Sequence, residues 1–317
     1  MAVYTKVSSE ALAAFLTRYD VGHLVSAKGI AEGVENSNYL VETTGSDGRG
    51  ARFILTLYEK RVELADLPFF LGLTSHLADK GLPVPAPITD KDGTALQRLE
   101  GRPACLIEFL PGVSVTDVTP ALAKRAGAAL AELHLGAADF TGTRPNSLSL
   151  AGWEDLAAAC AGHLQEIDPS LPALVEDELK WQRSHRPDDI PVGIVHADLF
   201  PDNVLVLEGE ISGLIDFYFA CTDRLAYDLA VTHASWAFDD EGGWRGEDVS
   251  TALLDGYRQH RALSEAEEAA FNGLARGAAL RFLLTRAYDW INTPPDAMVT
   301  RKDPMAFARR LIHYRSA

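Results

Sequence analysis

Residues 194–220 read IVHADLFPDNVLVLEGEISGLIDFYFA and carry the clearest structural signal in the chain. Two β-rich runs, VLVL and ISGLI, flank a short polar turn, which predicts a β-hairpin. A two-residue loop made of Gly209 and Glu210 suits a type II′ turn, because glycine stands first. In that register Asn203 lies opposite Asp216. The hairpin is therefore expected to bring an amide oxygen and a carboxylate together at its open end.

These two oxygen donors indicate a magnesium site. Mg²⁺ prefers hard oxygen ligands and completes its shell with water and substrate phosphates, which points to a nucleotide. Asp198 precedes Asn203 within H-x-D-x-x-x-x-N, the spacing of the kinase catalytic loop. In such a loop the first Asp accepts the proton of the acceptor hydroxyl, while the Asn and a later Asp hold metal. We interpret His196 as a structural histidine and Asp228 as a carboxylate that anchors the loop.

The whole chain is predicted to have an α+β fold with two lobes. Residues 1–110 predict a small antiparallel β-sheet with an inserted helix, and residues 111–317 predict a larger, mainly helical lobe. A capping box at Ser264 supports a long helix in the second lobe. The predicted strands of the first lobe are 21–30, 39–42, 52–58, 87–90 and 104–110. The predicted helices are 8–20, 64–80, 119–138 and 264–291.

Composition excludes several classes of partner. The chain has 317 residues, with 29 Lys and Arg against 45 Asp and Glu, for a formal charge of −16. Nucleic acids and anionic membranes are bound by clustered Lys and Arg, so we expect neither as a partner. The three separated cysteines indicate no disulfide framework and no thiolate metal site. No apolar run has the length of a signal peptide or a membrane span, so we expect a cytoplasmic protein of undetermined oligomeric state.

Four segments carry a family resemblance: GVENSNYLVET (33–43), RFILTLYEKR (52–61), HADLFPDNV (196–204) and GLIDFYFACTDRLAYDLA (213–230). Together they resemble the aminoglycoside phosphotransferase superfamily, which shares the two-lobed protein-kinase-like fold. Within it they resemble the second type of homoserine kinase, which is unrelated to the GHMP kinases. The resemblance covers nearly the whole chain. It implies phosphorylation of the side-chain hydroxyl of L-homoserine in threonine biosynthesis, with ATP and Mg²⁺ as cofactors.

The resemblance also implies roles for individual residues. Asp198 becomes the catalytic base, and Asn203 and Asp216 become the magnesium ligands. A loop at 29–38 would cover the nucleotide phosphates with backbone amides, and the end of the 104–110 strand would bind the adenine edge. The nucleotide-binding candidates are Gly29, Gly33, Asn36, Ser37, Asn38, Lys60, Glu108, Phe109 and Leu110.

One position departs from the kinase pattern. The strand that usually carries a phosphate-binding lysine reads FILTLY, with Thr56 at the place of the lysine. Lys60 and Arg61 follow the strand and are alternative phosphate contacts. The missing lysine leaves open a nucleotide-binding module without turnover. The same acidic residues leave open a metal phosphohydrolase that needs no acceptor.

The acceptor is identified only through the resemblance. A homoserine site needs a guanidinium for the substrate carboxylate and an acid or carbonyls for its ammonium. The residues alone leave other acceptors open: the acidic run 239–241 would suit an aminoglycoside, and an aromatic box would suit choline. Arg281 and Arg286, on one predicted helix, are the candidates for the carboxylate. The full set of substrate-contact candidates is Arg281, Arg286, Tyr218 and Trp236.

Overall fold

The computed structural model describes residues 4–30, 36–59, 63–187, 189–293 and 301–317. The chain divides into two compact units. The first comprises Met1–Gly112 with Ser212–Tyr218, and the second comprises Val113–Ile211 with Phe219–Ala317. The predicted fold class, an antiparallel sheet followed by a mainly helical region, is confirmed.

An antiparallel sheet forms the centre of the first unit. Its strands are β1 His23–Gly29, β2 Asn36–Thr44, β3 Gly50–Tyr58, β4 Pro87–Ile88, β5 Gln97–Leu99 and β6 Arg102–Glu108. The order of this six-stranded sheet is β1-β2-β3-β6-β4, with β5 beside β6. Val41 of β2 and Leu55 of β3 are fully buried against helix α1 (Ser9–Leu16). The helix predicted at 64–80 is α2 (Leu67–Asp79), preceded by a short 3₁₀ turn. β5 was not predicted because three residues are too few to show alternation.

The second unit is mainly helical. Its helices are α3 Pro120–Gly136, α4 Leu150–Cys160, α5 Leu164–Ile167, α6 Leu171–Ser184, α7 Leu225–Trp236, α8 Glu247–His260, α9 Glu265–Asn292 and α10 Met305–Ser316. The predicted capping box opens α9: Ser264 Oγ accepts from the Glu267 amide, and the Glu267 carboxylate accepts from the Ser264 amide. No helix within the described ranges is long and apolar enough to cross a membrane.

Short strands frame the segment with the kinase-like spacing. They are β7 Val113–Ser114, β8 Val192–Val195, β9 Val204–Leu207, β10 Glu210–Leu214 and β11 Cys221–Arg224. β9 lies between β7 and β10, and β8 pairs with β11 in antiparallel register. The sequence did not predict β7 or β11, because neither shows alternation between apolar and polar residues over a useful length.

The β9–β10 hairpin turns one residue earlier than predicted. The strands leave only Glu208 and Gly209 between them, with φ of 52° and 83°. A type I′ turn requires positive φ at both central residues, so this is a type I′ turn and not type II′. The predicted register, with Asn203 directly opposite Asp216, is therefore wrong. The prediction assigned the left-handed conformation to glycine alone, whereas the glutamate adopts it as well.

Helices α3 and α8 cross with their backbones in contact. A Cβ atom at Gly127 would stand 2.0 Å from a carbonyl oxygen of α8, and one at Gly256 would stand 1.9 Å from a carbonyl oxygen of α3. Only glycine fits at these two positions. The close crossing brings His134 of α3 within 2.8 Å of the Tyr257 hydroxyl of α8. Both side chains belong to the network that holds the candidate site.

Candidate active site

The segment that follows β8 contains Asp198 and is fixed through its backbone. Asp228 of α7 is fully buried, and its two carboxylate oxygens accept hydrogen bonds from the amides of His196 and Ala197, each at 2.7 Å. A carboxylate can accept several hydrogen bonds at once, so one side chain fixes two successive peptide groups. The interpretation of Asp228 as the anchor of the loop is confirmed.

A series of buried side chains extends from Asp228. His134 Nε2 lies 2.9 Å from Asp228 Oδ2, and Arg261 donates to the Tyr257 hydroxyl at 3.1 Å. Tyr257 can therefore donate to His134 Nδ1, which leaves the Nε2 proton of His134 for Asp228. Burial alone would raise the pKa of Asp228, but hydrogen bonds from His134 and from the His196 amide lower it on balance. His134 was not identified from the sequence. The feature that could have indicated it is the presence of this polar residue on an apolar, alanine-rich helix face.

Two residues predicted to contact the substrate instead contact the backbone of this loop. Arg281 of α9 is 1% exposed, and its Nη1 donates to the Ala197 carbonyl oxygen. Trp236 of α7 is 0% exposed, and its Nε1 donates to the Leu199 carbonyl oxygen at 3.0 Å. Side chains enclosed in this way present no surface to a diffusing amino acid. We therefore correct the predicted substrate contacts of both residues to contacts within the protein.

The backbone makes a sharp turn immediately before Asp198. Ala197 has a φ of 61°, in the left-handed region, which costs a residue with a Cβ about 1–2 kcal/mol. The hydrogen bonds at its amide and its carbonyl offset that cost. Ala197 and Leu199 are buried, whereas Asp198 between them is partly exposed. The turn therefore presents the Asp198 carboxylate at the surface of the unit.

Asn203 is held against the same aspartate. Its Nδ2 donates to the Asp198 carbonyl oxygen at 2.8 Å and to the Asp198 carboxylate at 3.2 Å. Because the amide nitrogen is engaged, the side-chain oxygen of Asn203 is the atom that can serve a cation. The described residues contain no cluster of three or more His, Cys, Asp or Glu that could hold a metal ion. A magnesium site here needs fewer protein ligands, since Mg²⁺ keeps water and phosphate oxygens.

Asp216 belongs to the first unit. It follows β10, is exposed and has a φ of 67°. Tyr218 packs edge-on against Tyr58 and Phe70 of the same unit, with ring centroids 5.8 Å apart in each pair. Burial is the largest cause that raises the pKa of Tyr218, and the charge of Asp216 adds to it, so the phenol stays protonated. The contact predicted between Tyr218 and the substrate stays a prediction.

Three residues predicted in the phosphate loop lie in a strand. Asn36, Ser37 and Asn38 begin β2 and pair with β3. Ser37 is fully buried, accepts hydrogen bonds from the amides of Tyr4 and Thr5, and donates to the Glu59 carboxylate at 2.8 Å. Its hydroxyl is therefore engaged within the protein. The loop predicted at 29–38 is therefore too long. Strand β2 begins at Asn36, three residues before the start of the strand that was predicted from the alternation of apolar residues.

The side chain at the position of the expected lysine is neutral and is hydrogen-bonded within the protein. Thr56 is 1% exposed, and its hydroxyl donates to Asn38 Oδ1 at 2.8 Å. No positive charge can act on a phosphate from this side chain. Of the other phosphate-binding candidates, Gly29 ends β1, whereas Gly33 and Lys60 lie outside the described residues.

The predicted adenine-binding segment follows the last strand of the sheet. Glu108 ends β6, and its amide donates to the Ala86 carbonyl at 2.9 Å. The Phe109 ring lies under the Arg52 guanidinium, 4.4 Å from the ring centroid, and Leu110 is partly exposed. These contacts fix the segment within the first unit. Its binding of adenine stays a prediction.

Arg286 lies on α9 in the second unit, where the charge of Asp198 acts on it. It is partly exposed, its guanidinium stands 4.5 Å from the Phe307 ring centroid, and Nη1 donates to the Asp303 carbonyl at 3.2 Å. Within the described ranges it has no carboxylate oxygen closer than 4.0 Å. Burial lowers the pKa of Arg286, and nearby carboxylates oppose this: Asp240, Asp303, Asp202 and Asp198. Of the two arginines predicted for the substrate carboxylate, this is the accessible one.

Comparison with known proteins places this site in a family. Residues 26–263 match the sequence profile described as the phosphotransferase enzyme family. The chain belongs to this family. A homoserine kinase from Gluconobacter oxydans is 52% identical over 319 residues, which cover 100% of this chain and 99% of that protein. One from Azorhizobium caulinodans is 50% identical and covers 100% and 97%. The resemblance and the enzyme class it implied, a phosphotransferase with an alcohol acceptor, are confirmed.

Solved phosphotransferase structures share the fold. A spectinomycin phosphotransferase in complex with ADP and spectinomycin superposes with a TM-score of 0.72 at 14% identity, covering 99% of each chain. An amicoumacin kinase in complex with AMP-PNP and Ca²⁺ gives 0.70 at 18% identity, covering 98% of this chain and 94% of that chain. At these identities the likeness establishes the fold alone.

The lowered pKa of Asp228 predicts a stability change in acid. Its carboxylate is ionised more readily in the folded than in the unfolded protein, so the resulting stability is present above about pH 4 and is lost as pH falls through the folded pKa. In Asp228→Asn this titration is absent. As pH falls from about 5 to about 2.5, the thermal unfolding midpoint of the variant should therefore fall less than that of the wild type.

The control for this comparison is Asp168→Asn. Asp168 is partly exposed, and hydrogen bonds from Ser170 lower its pKa. Solvent screens such a group, so this variant should keep the acid sensitivity of the wild type. If acid lowers the thermal unfolding midpoints of the wild type and Asp228→Asn by the same amount, the assignment of Asp228 as an ionised anchor is contradicted.

Proposed function

We propose that this phosphotransferase transfers the γ-phosphoryl group of ATP to the side-chain hydroxyl of L-homoserine, which yields O-phospho-L-homoserine for threonine biosynthesis. The observation that carries the proposal is the H-x-D-x-x-x-x-N loop, with Asp198 on a backbone held by Asp228. Relatives at about 50% identity over their full length are named homoserine kinases, which supports this acceptor. We assign the reaction to the cytoplasm, where ATP and free amino acids are available.

Asp198 is the proposed base. The homoserine hydroxyl oxygen attacks the γ-phosphorus, the bond from that phosphorus to the β,γ-bridging oxygen breaks, and ADP leaves. The proton of the hydroxyl passes to the Asp198 carboxylate. Hydrogen bonds at Ala197 and Leu199 hold the loop on both sides of Asp198, so little further ordering of this carboxylate is required for reaction.

Asn203 and Asp216 are the proposed ligands of Mg²⁺. An amide oxygen and a carboxylate are the hard donors that this ion prefers. Bound there, Mg²⁺ would neutralise negative charge on the nucleotide phosphates. The Asn203 side chain is oriented for this role by the hydrogen bonds that its nitrogen donates to Asp198.

The nucleotide is proposed to bind largely through backbone groups. Amides that follow Gly29, including that of Gly33, would contact the phosphates, and the segment 108–110 would contact the adenine edge. Thr56 is neutral and engaged with Asn38, so cationic compensation of the phosphates is left to Mg²⁺ and to Lys60 or Arg61.

Arg286 is the proposed partner of the homoserine carboxylate. Its guanidinium is partly exposed, is subject to the charge of Asp198, and makes no ion pair with a described carboxylate. A planar guanidinium binds a carboxylate with two parallel hydrogen bonds. The acidic side chains around Arg286 would contact the substrate ammonium, with Asp240 and Asp202 as the candidates. One site would thus match both charges of the amino acid.

Turnover with a panel of acceptors tests the function. In a coupled assay of ADP release with Mg-ATP, L-homoserine should support turnover, whereas L-serine, choline and kanamycin should not. Asp198→Ala should lose about 10²–10⁴-fold in kcat while nucleotide binding, measured by calorimetry, survives, because only proton transfer is removed.

The other outcomes are distinct. Turnover with a different acceptor from the panel would retain the phosphotransferase chemistry and refute homoserine as the substrate. ADP release without any acceptor would indicate a hydrolase. Nucleotide binding without turnover, unchanged in Asp198→Ala, would indicate a non-catalytic module.

Replacement of Arg286 tests the acceptor site. Arg286→Gln should raise the KM for homoserine about 10–100-fold, because a charged hydrogen bond contributes roughly 1.5–3 kcal/mol. The KM for ATP should not change. The control is Arg309→Gln, which removes an exposed arginine 3.7 Å from Asp303 and should leave both constants unchanged. An unaltered homoserine KM in Arg286→Gln would refute this contact.

A further inference from the structure

Arg281 is buried without a carboxylate partner. Its guanidinium lies 4.4 Å from the ring centroid of Phe282 and 5.3 Å from that of Phe219. In the described part of the chain it makes no ion pair within 4.0 Å, whereas Arg276 of the same helix makes a bidentate pair with buried Glu178. A buried cation with so few partners is costly, so packing alone does not account for an arginine at this position.

The acceptor of Arg281 is the Ala197 carbonyl oxygen. That oxygen belongs to the peptide group whose nitrogen is the amide of Asp198. The preceding peptide group, whose nitrogen is the amide of Ala197, is held by Asp228. Peptide groups are planar, so holding the planes on both sides of Ala197 fixes its φ and its ψ. Asp228 and Arg281 therefore fix the two backbone torsions that determine where the Cα of Asp198 lies.

Hydrogen bonds at both the amide and the carbonyl of Ala197 are needed because of the conformation of this residue. Its φ of 61° is one that a residue with a Cβ leaves readily. With Asp228 alone, the plane between residues 197 and 198 could rotate while the amide hydrogen bond of Ala197 stayed intact. The amide of Asp198 donates to His196 Nδ1 at 3.3 Å, which is too long to be a strong restraint.

We propose that Arg281 is a positioning residue, which sets the orientation of the catalytic Asp198 through the Ala197 carbonyl and does not touch the substrate. This inference rests on the proposed function, because it takes Asp198 as the base. A displacement of the base by about 1 Å can cost 10²-fold in rate. The guanidinium therefore contributes to kcat, and its loss has little effect on the binding of either substrate.

Matched substitutions on α9 separate this role from general stability. Arg281→Lys and Arg276→Lys each keep a positive charge and lose the guanidinium geometry. Arg276→Lys weakens the pair with Glu178, so it should lower the thermal midpoint and leave kcat within about twofold of the wild type. Arg281→Lys should lower kcat about tenfold and Arg281→Met about 10²-fold, with both KM values within about twofold, when assayed well below their unfolding midpoints.

A double-mutant cycle with Asp198→Asn provides the second measurement. If Arg281 acts through Asp198, Arg281→Lys should reduce the residual kcat of Asp198→Asn by less than twofold, because no base remains to be positioned. An effect of Arg281→Lys that is as large in this background as in the wild type would overturn the inference. So would a wild-type kcat for both Arg281 variants, or a change confined to the homoserine KM.

The proposed function fails by a different result. If Asp198→Asn itself retains the wild-type kcat, Asp198 is not the base. A large loss of kcat in Asp198→Asn, together with no loss in the Arg281 variants, would refute the positioning role alone.

Discussion

The hydrogen bonds that the amides of His196 and Ala197 donate to the buried Asp228 carboxylate are the constraint on which the candidate site depends. After β8 the chain passes through Ala197, which has the left-handed conformation. Water cannot reach the amides of a buried loop of this kind, so they need acceptors within the protein. One carboxylate satisfies both. Its own charge is compensated by these donors and by His134, so removal of any member leaves a polar group without a partner inside the protein.

The helices of the second unit are arranged around that loop. Asp228 and Trp236 stand two turns apart on the same face of α7 and bind the loop before and after Asp198. The close crossing of α3 and α8, which requires glycine at both contact points, places His134 against Tyr257. The other ring nitrogen of His134 contacts Asp228 of α7. Side chains on helices hold a site more rigidly than side chains on loops. The fold therefore supplies a fixed carboxylate, and the phosphoryl transfer that we propose needs little else from it beyond positioning and charge.

The sequence was sufficient to predict features that depend on neighbouring residues. It was not sufficient to predict the roles of side chains that are buried in the tertiary structure. The spacing from His196 to Asn203 and the capping box at Ser264 depend on neighbours in the chain, and so could be predicted. Arg281 and Trp236 looked like ligands because a polar group on a helix has the same pattern whether it faces a substrate or a backbone carbonyl. Only tertiary structure shows the Ala197 and Leu199 carbonyls that they bind.

A crystal structure with homoserine, a non-hydrolysable ATP analogue and Mg²⁺ is the most direct test of the account. It predicts the homoserine hydroxyl oxygen at hydrogen-bond distance from the Asp198 carboxylate, about 2.6–3.2 Å, with the loop conformation of Ala197 unchanged. The substrate carboxylate should contact Arg286. A homoserine hydroxyl oriented away from Asp198 would contradict the account. So would homoserine bound at other residues, with no contact to the loop that contains Asp198.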